Sequence, residues 1–150
     1  MKIDIKDLKK LREETSASIA DCRHALEESQ GDYKKAILWL KKNALVKASK
    51  KEGRETQSGI VETYIHHTKT SGATVVISCE TDFVSRTSEF KNLAHEIAMQ
   101  VNATSPKDVK DLLKSPYIRD EKKTVGDLVK EHIARLGENI EIKEFKRFEV

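Results

Sequence analysis

The sequence is poor in the residues and patterns that define several large classes of protein. It has 150 residues, of which only 2 are cysteine, 2 are proline and 6 are glycine. No apolar run approaches the length of about eighteen residues that a membrane-spanning helix needs. The first ten residues, MKIDIKDLKK, mix acids and bases and contain no apolar core of a signal peptide. We therefore expect a cytoplasmic protein that makes no membrane contact.

The two cysteines, Cys22 and Cys79, lie far apart in the chain and form no CxxC motif. This spacing fits a reducing compartment and predicts neither a disulfide framework nor a zinc site. Cys79 beside Glu80 could be a nucleophile served by a distant histidine. However, it falls in the inward phase of a predicted strand, where burial raises a thiol pKa, so a buried structural role is favoured.

Motifs that assemble an active site are also missing. The sequence contains no G-x-x-x-x-G-K-[ST], no G-x-G-x-x-G, no H-E-x-x-H and no G-x-S-x-G. His66 and His67 are adjacent, and adjacent residues of a strand point to opposite faces, so we do not expect them to share a metal ion. We predict a protein that is not an enzyme, with no catalytic residue, no metal site and no cofactor.

Charge is abundant but nearly balanced. Charged residues make up 35% of the chain and the net charge is +3, which is only a weak preference for acidic partners. Residues 41–54, KKNALVKASKKEGR, contain six basic residues and one acid. This run could hold phosphate or an acidic protein surface, but it lacks the interleaved aromatics that stack on bases. A solvated, partly helical linker is the favoured interpretation, and we expect no direct nucleic-acid binding.

The amino-terminal part has the apolar spacing of three amphipathic helices. Ser18 and Asp32 are suitable N-caps for the second and third helix, and Gly31 is a suitable breaker between them. The predicted apolar faces are Ile5, Leu8 and Leu11, then Ile19, Cys22 and Leu26, then Tyr33, Ile37 and Leu40. We predict a three-helix module over residues 1–45, followed by a basic linker over residues 46–57.

After the linker the apolar period changes from helical to alternating. GIVETYIHHT and ATVVISCET are rich in β-branched residues and predict a hairpin, with residues 69–72 as its turn. The second strand would bury Ala73, Val75, Ile77 and Cys79 on one face. A third strand is predicted in NIEIKEFKRFEV, where Ile140 and Ile142 point inward and Phe145 is out of phase, as at a bulge.

Helices are predicted between the second and third strands. The strongest pattern is Phe90, Leu93, Ala94, Ile97, Ala98 and Val101, capped by Thr87 or Ser88. A weaker helix is predicted over residues 107–113, and a further one runs from the cap Thr124 to Gly137. Residues 58–150 therefore form an α+β domain, a small three-stranded antiparallel sheet with helices on one face.

The stretch CETDFVSR, residues 79–86, places a bulky aromatic residue in the turn between a strand and a helix. Phe83 could fold back over the sheet edge while Asp82 anchors the turn through hydrogen bonds to the backbone. Alternatively, a rigid strand end could present Phe83 outward as an anchor for a partner. The residues alone leave both alternatives open.

Three segments resemble the elongation factor Ts family, the guanine-nucleotide exchange factors of elongation factor Tu. They are LKKLREETSASIADCRHALEESQGDYKKAILWLKKNALVKASKK, CETDFVSRTSEFKNLAHEIA and IARLGENIEIKEFKRFE. They occur in the family's order and cover most of the chain. The resemblance implies an amino-terminal module like a ubiquitin-associated domain, followed by a core of sheet and helices.

The resemblance also implies a mechanism. The turn Thr81, Asp82, Phe83 and Val84 would enter the GTPase domain of elongation factor Tu, disturb the surroundings of Mg²⁺ and loosen GDP. The amino-terminal module would dock on the same domain through Arg12, Ile19 and Ala20. A second interpretation, a non-catalytic helical module that binds an acidic protein or RNA, would not require an intact TDFV turn at a strand end.

This chain departs from the family's usual pattern in sequence and in length. The family usually has glycine where this chain has Ser16 and Ser18, and methionine where it has Ile19 and Ala20. The second half of the duplicated core of long members is missing, which suggests that two copies pair non-covalently. The strand around Phe145 and Phe148 is the candidate surface, because apolar residues in both phases need more cover than one helix layer gives.

Overall fold

A computed structural model describes residues 3–150, which form seven helices and five strands. Met1 and Lys2, the first residues of the predicted amino-terminal module, lie outside this range. Within it, no helix is both long enough and apolar enough to cross a membrane. In chain order the elements are α1 (Ile5–Thr15), α2 (Ile19–Glu28), α3 (Tyr33–Ser49), β1 (Ser58–Ile65), β2 (Ser71–Cys79), α4 (Asp82–Ser85), α5 (Ser88–Thr104), α6 (Val109–Lys114), β3 (Pro116–Tyr117), β4 (Asp120–Thr124), α7 (Val125–Leu136) and β5 (Ile140–Glu149).

The first three helices pack around a small apolar cluster of their own. Its buried members are Leu11, Cys22, Ala25, Leu26, Ala36 and Leu40. The predicted caps are confirmed, since the Ser18 and Asp32 side chains accept hydrogen bonds from the first turns of α2 and α3. Two residues of the predicted apolar faces are mainly exposed: Ile5 is 67% exposed and Ile19 is 55% exposed. The apolar face of the module is therefore narrower than the sequence predicted.

Helix α3 continues past position 45, the predicted end of the module, into the predicted linker and ends at Ser49. Ala48 is buried in the larger apolar cluster of the sheet and its helices, so the carboxyl end of α3 packs on the core. Lys47 forms a 2.7 Å ion pair with Asp21 of α2. Burial raises the pKa of Asp21, but hydrogen bonds from Lys47 and Ser18 outweigh it and lower that pKa below its usual value. Part of the basic run therefore holds the module together.

Strands β1, β2 and β5 form the predicted three-stranded antiparallel sheet, with β2 in the centre. The turn between β1 and β2 comprises residues 66–70. Ser71 and Gly72, which were predicted to lie in the turn, already belong to β2 and pair with Glu149 and Ile65 of the neighbouring strands. One face of β2 is fully buried, as predicted, at Ala73, Val75, Ile77 and Cys79. The register of β2 against β5 shifts between Val76 and Ile77, which confirms the expected irregularity.

Helices α5 and α7 cover the buried face of the sheet. All six predicted apolar residues of α5, from Phe90 to Val101, are buried, and Thr87 caps this helix. Thr124 caps α7, with Asp127 completing a capping box, and Gly137 ends it with a left-handed φ of 78°. Helix α6 begins at Val109, two residues later than predicted. The hairpin of β3 and β4 was not predicted at all.

Candidate functional site

The candidate site begins where β2 leaves the sheet. Thr81 has extended backbone angles, and its hydroxyl accepts a hydrogen bond from the backbone N–H of Val84 at 3.3 Å. This bond makes Thr81 the N-cap of α4, a single turn of four residues. Two residues beyond α4, Thr87 caps α5 in the same way through the N–H of Phe90. Two caps within seven residues therefore fix the path of the chain from strand to helix.

Helix α4 points its two apolar side chains in opposite directions. Phe83 is 81% exposed, whereas Val84 is 8% exposed and belongs to the apolar cluster under the sheet. Ser85 is also buried, and its hydroxyl donates to the Asp82 carbonyl at 2.8 Å. The structure therefore decides between the two alternatives for Phe83, because the ring does not fold back over the sheet edge.

Asp82 lies on the exposed side of α4 with Phe83. Its carboxylate accepts a 2.8 Å hydrogen bond from the guanidinium of Arg86, four residues later. Both side chains are mainly exposed, so water and salt screen this ion pair and it contributes little to stability. The exposed surface of α4 therefore presents an aromatic ring beside a carboxylate that a competing partner could easily separate from Arg86.

The three predicted contact residues of the helical module lie around the connection between α1 and α2. Arg12 is in the last turn of α1, Ile19 and Ala20 begin α2, and all three side chains are exposed. Ser16, between them, has a left-handed φ of 53°. These residues share one end of the module. The helices that carry them pack around a different apolar cluster from the one under α4, so the predicted contacts form two separate groups.

Sequence reasoning missed the residues that hold α4 from behind. Both carboxylate oxygens of Glu138 accept hydrogen bonds from Thr81, one from its backbone N–H at 2.9 Å and one from its hydroxyl at 2.7 Å. The backbone N–H of Asn139 donates to the Glu80 carboxylate at 2.7 Å. GEN, residues 137–139, lies within the third segment of the family resemblance, but nothing in the sequence connects it to a turn 57 residues earlier.

Cys79 lies directly behind this turn. It is fully buried, and its sulfur contacts the Thr81 carbonyl at 3.1 Å. Burial, together with the nearby charge of Glu138, raises the pKa of the Cys79 thiol to about 11. The thiol is therefore protonated at neutral pH and poorly suited to nucleophilic attack.

The two adjacent histidines are closer than the sequence predicted. The ring centroids of His66 and His67 are 4.2 Å apart, because β1 ends at Ile65 and strand alternation no longer applies to the turn. The expectation that the two rings point to opposite faces was therefore wrong. Within residues 3–150, no group of three or more histidine, cysteine or acidic side chains is arranged to hold a metal ion.

Comparison with known proteins tests the family resemblance of the three sequence segments. A family model described as Elongation factor TS matches residues 80–150. The elongation factor Ts of Rippkaea orientalis is 38% identical over 97% of this chain and 77% of its own length. Those of Coprothermobacter proteolyticus and Caldanaerobacter subterraneus are 37% and 38% identical, over 99% and 98% of this chain and 98% and 96% of their own lengths. The chain belongs to the elongation factor Ts family, which is a family of translation elongation factors.

The region of the elongation factor Ts model contains the whole site on the core. It starts at Glu80 and includes α4 and the GEN segment. The alignments to the three relatives span 192 or 193 positions, more than the 150 residues present here. These relatives therefore contain internal residues that this family member lacks, although its helical module, sheet and α4 are all present.

Proposed function

We propose that this protein is a guanine-nucleotide exchange factor that binds elongation factor Tu with GDP and promotes the release of GDP. One observation carries the proposal: Phe83 is 81% exposed while its neighbour Val84 is buried. A mainly exposed ring gains little within this chain, whereas a partner's pocket would stabilise it. The action belongs to translation elongation in the cytoplasm. It requires no bond-making residue and no cofactor in this chain.

The proposed target is the partner's metal site. Thr81, Asp82, Phe83 and Val84 form one turn, which presents Asp82 and Phe83 to the GTPase domain and displaces groups around Mg²⁺, with Phe83 as the wedge. Val84 remains in this protein's own core and orients the turn from inside. Mg²⁺ requires near-octahedral geometry and bridges the phosphates of a bound nucleotide. A small displacement of its surroundings therefore weakens GDP binding. The Asp82 carboxylate pairs with the exposed Arg86, and it can exchange that partner for a group on the GTPase domain.

The size of the effect limits what the wedge can do alone. Burying a phenylalanine ring contributes about 1.5 to 3 kcal/mol, which corresponds to about one to two decades in affinity. This can shift an equilibrium between nucleotide-bound and nucleotide-free partner, but it cannot replace an interface. By linkage, GDP must weaken the binding of this protein by the same factor by which the protein weakens GDP. Further contacts are therefore needed.

The helical module would supply these contacts through Arg12, Ile19 and Ala20. Their exposure at one end of the module supports this role, since Ile19 keeps 55% of its surface accessible on the first turn of α2. The family usually has methionine where this chain has Ile19 and Ala20. The two smaller side chains present less apolar surface to a partner than two methionines would. We expect the double variant Ile19→Met/Ala20→Met to bind elongation factor Tu more tightly.

Stopped-flow release of fluorescent GDP from elongation factor Tu tests the proposal. We expect the wild type to accelerate release, and Phe83→Ala and Asp82→Ala to accelerate it much less. Ile118→Ala removes another exposed apolar side chain, on the turn between β3 and β4, and should behave as wild type. Absence of acceleration by the wild type would refute exchange activity and favour a helical binding module. Full acceleration by Phe83→Ala would refute the wedge.

We also propose that two copies associate non-covalently through the sheet face that no helix covers. On this face Val61 is 66%, Ile65 57% and Phe148 63% exposed. Cross-strand pairing places Ile65 and Phe148 on either side of Gly72, so they form one apolar patch. Of the two phenylalanines in the predicted surface, Phe145 instead packs against the core.

Light scattering over the micromolar range tests this association. We expect a dimer mass for the wild type and a monomer mass for Phe148→Lys, because a buried unpaired charge is unfavourable. Lys143→Ala, on the same strand but outside the patch, is the matched control. A monomeric wild type throughout this range would reject the dimer.

A further inference from the structure

The contacts behind α4 indicate that the GEN segment fixes the orientation of this helix. Glu138 uses both carboxylate oxygens on Thr81, whose hydroxyl also accepts from the Val84 N–H. Since that hydroxyl donates its only proton to Glu138, its lone pairs remain directed at the start of α4. The carboxylate therefore supports the N-cap as well as the backbone of the same residue.

A second pair of contacts runs in the opposite direction. Glu80, which precedes Thr81, accepts from the N–H of Asn139, which follows Glu138. The side-chain amide of Asn139 also donates to the backbone carbonyl of Arg54 at 2.8 Å. The guanidinium of Arg54 lies 3.7 Å from the Glu80 carboxylate. Two consecutive residues of the β2 end are thus hydrogen-bonded reciprocally to two consecutive residues of the loop before β5. We call these four residues, Glu80, Thr81, Glu138 and Asn139, the clamp.

Helix α4 depends on such support because it has little stability of its own. It is one turn long, and a single turn is unfavourable in isolation since nucleation fixes several residues for one hydrogen bond. Its one buried apolar side chain is Val84, and the exposed Asp82–Arg86 pair adds little. A four-residue helix that must present Phe83 in one orientation therefore relies on what holds its first residue.

We infer that Glu138 is a positioning residue that keeps α4, and with it Phe83, in the orientation that the partner binds. This inference rests on the proposed exchange function. Loss of the clamp would lower the fraction of free molecules in which α4 already has the orientation that binds. The apparent affinity for the partner falls in proportion to that fraction. It would not change the fully bound complex. Glu138→Gln should therefore raise the half-saturating concentration in the exchange assay about tenfold, as expected for lost hydrogen bonds to a half-buried charge.

The maximum rate of GDP release separates positioning from the wedge itself. At saturation we expect Glu138→Gln to reach the wild-type rate within about twofold, because the partner then holds α4 in place. Phe83→Ala should lower the maximum rate. Glu131→Gln, which removes the same charge from α7 where it pairs with Lys123, is the matched control and should leave both parameters unchanged. A fall in maximum rate with unchanged half-saturation for Glu138→Gln would overturn the assignment.

The buried thiols provide a readout that does not require elongation factor Tu. Cys79 contacts the Thr81 carbonyl, so opening of the turn exposes it, whereas Cys22 lies in the separate cluster of the helical module. Labelling by Ellman's reagent, assigned by peptide mass, should become about tenfold faster at Cys79 in Glu138→Gln and remain unchanged at Cys22. Faster labelling at both sites would indicate global unfolding and count against a local clamp.

Glu138→Asp controls for electrostatics, because the Glu138 charge itself raises the pKa of Cys79. Aspartate keeps the charge but is one methylene too short to reach both donors of Thr81, so we again expect faster labelling. Wild-type labelling rates at Cys79 in both variants would overturn the inference whether or not the protein exchanges nucleotide. If the wild type fails to accelerate GDP release, the proposed function fails, and the labelling still decides whether Glu138 holds the turn.

Discussion

Phe83 and Val84 form a natural pair for separating function from folding, since they are adjacent and face opposite sides of α4. Phe83 keeps 81% of its surface in water, so truncation to alanine removes only about a fifth of a full burial contribution. We expect Phe83→Ala to change the free energy of unfolding by about 0.5 kcal/mol or less. Val84 is 8% exposed, and Val84→Ala leaves a cavity under the sheet that should cost about 1 to 3 kcal/mol.

The exchange assay should give the opposite ranking. Phe83→Ala loses a ring that contributes about 1.5 to 3 kcal/mol in a partner's pocket, so acceleration of GDP release should fall about tenfold or more. Val84→Ala should retain more activity than Phe83→Ala at a temperature where both are folded. Urea unfolding followed by circular dichroism gives the first ranking, and stopped-flow fluorescence the second. If Phe83→Ala destabilises the protein as much as Val84→Ala does, the ring contributes to the core and our reasoning is wrong.

Three further predictions concern stability and can be tested by urea unfolding. Ser16→Gly should stabilise the protein by about 0.5 to 1 kcal/mol, because Ser16 has a left-handed φ of 53° at the end of α1; an unchanged midpoint would contradict this. Gly59→Ala should destabilise it by about 2 kcal/mol or more, because an added Cβ would overlap the carbonyl oxygen of Ile77 on the neighbouring strand. A neutral result would show that the two strands can separate there. Burial lowers the pKa of His132, so the unfolded chain takes up a proton at a higher pH than the folded one. The stability that comes from keeping His132 neutral is therefore complete above about pH 6.5 and is lost as the pH falls toward the folded pKa. We expect His132→Gln to show a flatter decline in stability between pH 7.5 and 5.5 than the wild type, and equal slopes would exclude His132 as the cause.

The elements predicted well from sequence are those whose own residues carry the pattern. In α5 the six apolar positions recur at helical spacing and all are buried. The hairpin of β3 and β4 has no such pattern, since its longer strand reads DEKKT. It is held instead by the buried Gln100 of α5, whose amide donates to the Pro116 carbonyl and accepts from the Ile118 N–H. The hairpin also has the buried Tyr117, whose hydroxyl donates to Glu96 of α5. A structure held by such distant side chains leaves no periodic signal.

The basic run, residues 41–54, was predicted to be a partly helical linker, and α3 extends into it as far as Ser49. A run of lysines is typical of a solvated linker, whereas Leu40, Ala44 and Ala48 follow the spacing of a helix. Lys47 pairs with Asp21, and Ala48 packs on the core, so both contacts depend on tertiary neighbours. The sequence therefore indicated some helix in this run but not the tertiary contacts that hold its end.

At the candidate site, the sequence indicated which residues matter but not which way they point. The TDFV turn was found by resemblance, yet residue properties left Phe83 open between covering the sheet edge and facing outward. Its direction follows from Val84, which occupies the inward position on a turn too short to bury both. Glu138 could not be assigned, because its partner is 57 residues away and a carboxylate after a glycine fits many loops.

The linker residue Arg54 connects the two predicted contact regions. It follows α3, the last helix of the module, and its carbonyl and guanidinium lie beside Asn139 and Glu80 of the clamp. Ala48, near the end of α3, also packs on the core. The connection between the helical module and the core is therefore fixed by contacts and is not a free tether. A flexible tether would leave each contact to bind with its own ordering entropy, whereas a connection fixed beside the clamp has less freedom to lose. In the proposed exchange mechanism, two modest contacts fixed relative to each other would therefore supply binding energy beyond the roughly 3 kcal/mol of a single ring.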